Sequence, residues 1–156
     1  MLNKEVIQPG DIVFGRSNTV CSKLMRVITL SQWSHVGIVI GRHQGKLTCV
    51  SARWNGVVYD NLIDWGSEVQ ILRVRGITEQ QIQKMIGYVT TQVGKPIDFS
   101  GCFTSSRNCI RWFDSMLIYF TMLKAGIDIF KESHKRKYIS TGDLYENPRL
   151  EFITEI

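Results

Sequence analysis

The apolar positions of this chain change period several times, and each change marks an element. Pro9-Gly10-Asp11 is a turn signal, and Ile12-Val13-Phe14 after it reads as a short buried strand. From about Thr19 to Leu30, Val20, Leu24, Val27 and Ile28 recur at helical spacing and predict a short helix. Ser34 to Gly41, SHVGIVIG, is β-branched and almost uniformly apolar, the pattern of a central strand buried on both faces. A hairpin turn over Gly41 to Lys46 leads to a second strand, Leu47 to Ala52. Gly56 to Tyr59 and Val69 to Val74 supply two more.

The period then switches. Thr78-Glu79-Gln80-Gln81 matches a capping box, and Ile82, Met85, Ile86, Val89 and Val93 follow at steps of three and four. Gly94-Lys95-Pro96 ends that helix. Beyond a polar loop, Trp112, Phe113, Met116, Leu117, Phe120 and Leu123 predict a second helix that starts at Cys109 and stops at Gly126. Thr141 to Leu144 suggests a helical turn, and Leu150 to Ile153 a last strand. Without repeats or low-complexity tracts, this order predicts a single α+β domain over residues 1–156, an antiparallel sheet packed against helices.

Composition narrows the class. A hydrophobic share of 44% and a charged share of 21% are those of a globular chain with one core. The formal net charge of +5 comes from dispersed basic residues, His134-Lys135-Arg136-Lys137 being the densest cluster, so nucleic acid is not an expected partner. The apolar run Met116 to Leu123 is far short of the ~20 residues of a spanning helix and reads as buried. Residues 1–11 lack the apolar run of a secretory signal, so the expected location is cytoplasmic, with export as a phage or effector protein left open.

Four cysteines, Cys21, Cys49, Cys102 and Cys109, lack zinc-ribbon spacing and are expected to be reduced thiols; three histidines are too few and wrongly spaced for a metal, and no cofactor is expected. His35 is the candidate base, because an imidazole in an apolar strand is costly to bury alone and this one sits at the strand's entry, where it can face a cleft. His43 and His134 read as solvated. Cys109 follows the polar stretch Thr104 to Asn108 at a predicted helix start, where the backbone dipole favours a thiolate. A packed core thiol is the plain alternative. Ser51, on the strand after His35, is the positional candidate for the group that orients the imidazole, though a hydroxyl is a poor substitute for a carboxylate.

QPGDIVF, followed some twenty residues on by LSQWSHVGIVIG, resembles the opening of the circularly permuted NlpC-type papain-like proteins, the YiiX/YebB-like hydrolases and, more distantly, the lecithin-retinol acyltransferase group. GKPIDFSG resembles the family's segment before the nucleophile helix, and ISTGDLYENPRLEFI its closing stretch. The resemblance spans nearly the whole chain and implies a permuted papain-like fold with a Cys–His thiol site. Two departures stand out. The family's Cys-Ser-x-Leu-Val motif, counted back from Lys124-Ala125-Gly126-Ile127, lands on Asp114, which would put an aspartate in the nucleophile's place. The other register, Asn108-Cys109-Ile110-Arg111-Trp112-Phe113, keeps a thiol, and the apolar spacing after Cys109 favours it. Ser51 stands where those relatives tend to carry glutamate.

The expected activity is therefore hydrolysis of an amide, peptide or ester bond, with Cys109 as nucleophile, His35 as base and acid, and helix-head N–H groups receiving the oxyanion. The resemblance implies a small peptide, peptidoglycan-like material or a lipid ester as substrate. A non-catalytic binding protein on the same scaffold is the competing expectation, resting on Asp114 and Ser51. A lipid-modifying enzyme at a membrane surface is a third, suggested by Trp33, Trp54 and Trp112.

Overall fold

The computed structural model describes residues 6–16, 23, 26, 31–66, 68–96, 114–130 and 139–156. Strands β1 (Ile12–Arg16), β2 (His35–His43), β3 (Lys46–Arg53), β4 (Gly56–Asn61), β5 (Glu68–Val74) and β6 (Leu150–Glu155) form one sheet in the order β4-β3-β2-β1-β5-β6. Every pairing is antiparallel. The SHVGIVIG run is thus a central strand with its middle buried, as its β-branched composition predicts. Its turn is tighter than the six residues expected: Gln44 and Gly45, at φ 50° and 76°, close a two-residue hairpin, so β2 runs on to His43.

Helix α1 (Glu79–Thr90) opens on the predicted capping box. Thr78 accepts from the Gln81 N–H, and the Gln81 side chain accepts from the Thr78 N–H at 3.0 Å. It ends at Thr90, short of Val93, where a run of turns begins. Helix α2 (Asp114–Lys124) carries the second apolar stripe, and the short α3 (Thr141–Tyr145) has a capping box of its own between Ser140 and Asp143. The predicted helix near Thr19 to Leu30 lies mostly outside the described residues, though Lys23 and Arg26 are helical. No helix among the described residues is long and apolar enough to cross a membrane.

The sheet separates two apolar clusters. On one face Met85, Val89, Leu117, Ile118 and Met122 of α1 and α2 pack against Phe14, Val36, Ile38 and Val50. On the other, Trp65 and Leu62 join Val13, Val39, Cys49, Val69 and Ile71. One ion pair locks the N-terminal turn to the sheet. Asp11, wholly buried, accepts Arg73 Nε at 2.6 Å on Oδ1, and Arg73 Nη2 and the Gln8 N–H, each at 2.9 Å, on Oδ2. That hydrogen bonding pushes the guanidinium further up from its ordinary value.

Asp11→Ala strands the Arg73 cation and should cost about 3 kcal/mol or more in urea unfolding. Glu151→Ala, which removes an exposed partner 3.7 Å from Arg75, should cost less than about 1 kcal/mol.

Candidate active site

His35 opens β2, and Asp114 opens α2. The Nδ1 of His35 lies 3.2 Å from Asp114 Oδ2, with both side chains largely buried. Asp114 Oδ2 also accepts the Val36 N–H at 3.2 Å, while Oδ1 accepts the Ser115 N–H at 2.9 Å. The Ser115 hydroxyl in turn donates to the Ile139 carbonyl at 2.7 Å, fastening the head of α2 to the segment that leads into α3. An acidic residue in the first turn complements the positive end of the helix dipole.

The ring of His35 leans on Trp65, with centroids 4.4 Å apart and 34° between the planes. Two strand glycines make room for the indole. A Cβ on Gly15 would fall 2.8 Å from Trp65 Cε3, and one on Gly37 would fall 2.7 Å from Trp65 Cη2 and 2.9 Å from the Val50 carbonyl oxygen. Close approach is why glycine stands in both strand interiors. The Arg53 guanidinium carbon lies 5.6 Å from the same indole ring. Arg53 is anchored by Asp60, whose Oδ2 takes Arg53 Nε at 2.6 Å, Arg53 Nη2 and the Ser51 hydroxyl at 3.2 Å.

Of the residues singled out from sequence, His35 and Asp114 are brought together. Ser51 faces Asp60, so its hydroxyl is spent on the Arg53 anchor, and the group that holds the imidazole is a carboxylate from α2. Cys109 lies outside the described residues, as do Cys21, Cys102, Trp112 and His134. His43 is exposed at the end of β2. Trp33 is buried against Phe14 and Tyr145, whereas Trp54 is 82% exposed in the β3–β4 turn. Cys49 is buried, and burial first, then the nearby Asp60 charge, push its thiol far above the ordinary range; Arg53 opposes them weakly. Trp65, Asp60 and Arg53 were missed. The hint for Trp65 was the pair of strand glycines.

A six-stranded antiparallel sheet whose second strand presents a histidine to the head of a later helix is the permuted papain-like arrangement. The chain matches the model of the permuted papain-like amidase enzymes of the YaeF/YiiX, C92 family over residues 6–154, and it belongs to that family. It is 30% identical over 106 residues to the uncharacterized protein YiiX of Escherichia coli K12, a match covering 64% of this chain and 52%, about half, of that protein. The crystal structure of metalloprotein YiiX from Escherichia coli O157:H7 superposes with a TM-score of 0.75 at 25% identity, covering 96% of this chain and 97% of that one.

Gly37→Ala should destabilise by about 1–3 kcal/mol in urea unfolding, because the new methyl meets an indole and a backbone carbonyl that cannot both move. Gly87→Ala, in α1 with open space where its Cβ would go, should stabilise by up to about 1 kcal/mol. The Cys49 thiol resists ionisation only while folded, so the unfolded chain binds fewer protons above its ordinary pKa of about 8.5, and stability falls as pH rises. In urea titrations from pH 8 to 10, wild type should lose up to about 1.4 kcal/mol per pH unit more than Cys49→Ala.

Proposed function

We propose that the chain is an amide- or ester-bond hydrolase in which His35 is the base and the thiol of Cys109 the nucleophile. Family membership supports the hydrolase class, and one observation carries the assignment of the base: a buried imidazole gripped at one nitrogen by an anionic carboxylate. A carboxylate so placed orients the ring and stabilises the imidazolium formed when the nucleophile gives up its proton. Asp114 thus takes the role for which Ser51 was the positional candidate. Among the cysteines, Cys49 is disqualified by its burial and suppressed ionisation. Cys109 is five residues from Asp114, a tether of at most about 18 Å, and so has the reach to meet the ring. The substrate class is a small peptide, peptidoglycan-like material or a lipid ester.

In this mechanism the thiol proton passes to His35, the thiolate adds to the carbonyl carbon, and the imidazolium returns the proton to the departing amine or alcohol. Water then releases the acyl group, with His35 again as base. One relative is described as a metalloprotein. Among the described residues here no three of His, Cys, Asp and Glu are gathered for a metal ion, and both oxygens of Asp114 already accept backbone N–H groups. These residues do not fit a metal, and no step runs through one.

A second reading, a binding protein without catalysis, is favoured by a specific observation. Asp114-Ser115-Met116-Leu117-Ile118 stands where a Cys-Ser-x-Leu-Val motif would begin, and the Ser115 N–H, a candidate oxyanion donor, is spent on Asp114.

The two separate in the pH dependence of iodoacetamide labelling, read cysteine by cysteine. As a hydrolase, Cys109 labels with an apparent pKa well below about 8.5, and His35→Ala abolishes that shift. If Cys109 behaves as an ordinary thiol in both proteins, the hydrolase reading is wrong and the binding reading replaces it.

A further inference from the structure

Asp114 does more than hold His35: it selects which nitrogen can work. Its Oδ1 accepts the Ser115 N–H and its Oδ2 the Val36 N–H, so both oxygens are acceptors, the role of an ionised carboxylate. The remaining contact of Oδ2, 3.2 Å to His35 Nδ1, is therefore a hydrogen bond in which Nδ1 donates. A neutral imidazole with hydrogen on Nδ1 has its lone pair on Nε2. In keeping with this, Nε2 is buried and has no hydrogen-bond partner among the described residues, and a buried N–H there would be a donor left unmet. Among the described residues no other polar group is bonded to the ring: Trp65 meets it through its indole face, and Arg53, beside that indole, is held by Asp60.

We propose that Asp114 is a positioning residue that fixes neutral His35 as the Nδ1–H tautomer, so that Nε2 is the proton-accepting nitrogen and the site's base faces away from the head of α2. A thiol at position 114 would have met Nδ1, the nitrogen that faces this helix. With aspartate there, that nitrogen is consumed, and a nucleophile has to approach the Nε2 side. On proton transfer its S–H or O–H bond breaks, an Nε2–H bond forms, and the resulting imidazolium keeps its Nδ1–H on the carboxylate. The proposal rests on the hydrolase reading only for its use; the tautomer itself is a property of the folded chain.

The test is nitrogen-15 NMR of the histidine rings of the full chain, recorded as the pH is raised until the ring shifts stop changing and the neutral form is read. His35→Gln identifies the His35 signals among the three histidines by their loss. The expected wild-type result is a single tautomer, with Nδ1 protonated and Nε2 of the pyridine type. Asp114→Ala, checked for folding by circular dichroism, should let the ring average between tautomers or settle with hydrogen on Nε2. Asp114→Asn serves should the alanine variant not fold. It should likewise shift the ring signals, because a carboxamide offers one acceptor where the carboxylate offers two. Hydrogen on Nε2 or tautomer averaging in wild type overturns the proposal, and so does an unchanged Nδ1–H tautomer in folded Asp114→Ala or unchanged ring signals in Asp114→Asn. No substrate enters the measurement, so an ordinary Cys109 thiol beside a fixed tautomer would sink the hydrolase reading alone.

Discussion

Asp114 Oδ2 is shared by the first two residues of the central strand, the Val36 N–H and the His35 ring, while Oδ1 takes the N–H that follows it on the helix. A buried carboxylate is tolerable only when its lone pairs are met, and here two of the donors are backbone groups that cannot turn away. The contact joins the start of β2 to the start of α2 across 79 residues of sequence. Remove it and the helix loses an anchor against the sheet, while the imidazole loses what orients it. The same atoms serve the fold and the site, so substitutions at 114 act on both, and only a readout of the ring itself separates the two effects.

The indole of Trp65 supplies the complementary constraint. Asp114 fixes the imidazole at one nitrogen but leaves it free to tilt, and the packing of ring against ring removes much of that freedom. The indole has a single place to lie because Gly15 and Gly37 hollow the sheet beneath it, and Arg53, tied down by Asp60, lies against the same ring. Glycine in a strand interior weakens the strand, and that cost is accepted at two neighbouring positions on adjacent strands. In the register of β1 with β2, Gly15 pairs with His35 itself, so the hollow sits directly beside the residue it serves.

Local signals were readable in the sequence, and long-range ones much less so. The capping box at Thr78 and Gln81 was legible because both partners lie within one turn, and the β2 run because Val36, Ile38, Val39 and Ile40 give it the β-branched, apolar character that suits a strand covered on both faces. The hairpin turn was drawn too wide: a Gln with positive φ does not announce itself as glycine does. His35 stood out as one polar ring in an apolar run. Its partner was visible only through the competing register that put Asp114 at the nucleophile's position, because a contact across 79 residues leaves no local pattern. Ser51 lies on the right strand but faces a different carboxylate, Asp60, contributed by the hairpin that follows. Trp65 left only the two glycines as a trace.

The departures at positions 51 and 114 then make sense together. An imidazole needs one acceptor to fix it and one free nitrogen to work. The family resemblance implies a glutamate at the position of Ser51, which would supply the carboxylate from the sheet and leave the helix to the thiol. Here Asp114 supplies the carboxylate, and a second one at 51 would place another anion beside Asp60, the residue that the Ser51 hydroxyl meets. A hydroxyl at 51 adds no charge and instead completes the shell around Asp60, which keeps Arg53 in place against the indole. With Nδ1 of His35 already met by Asp114, any reactive group that joins the pair must do so at Nε2.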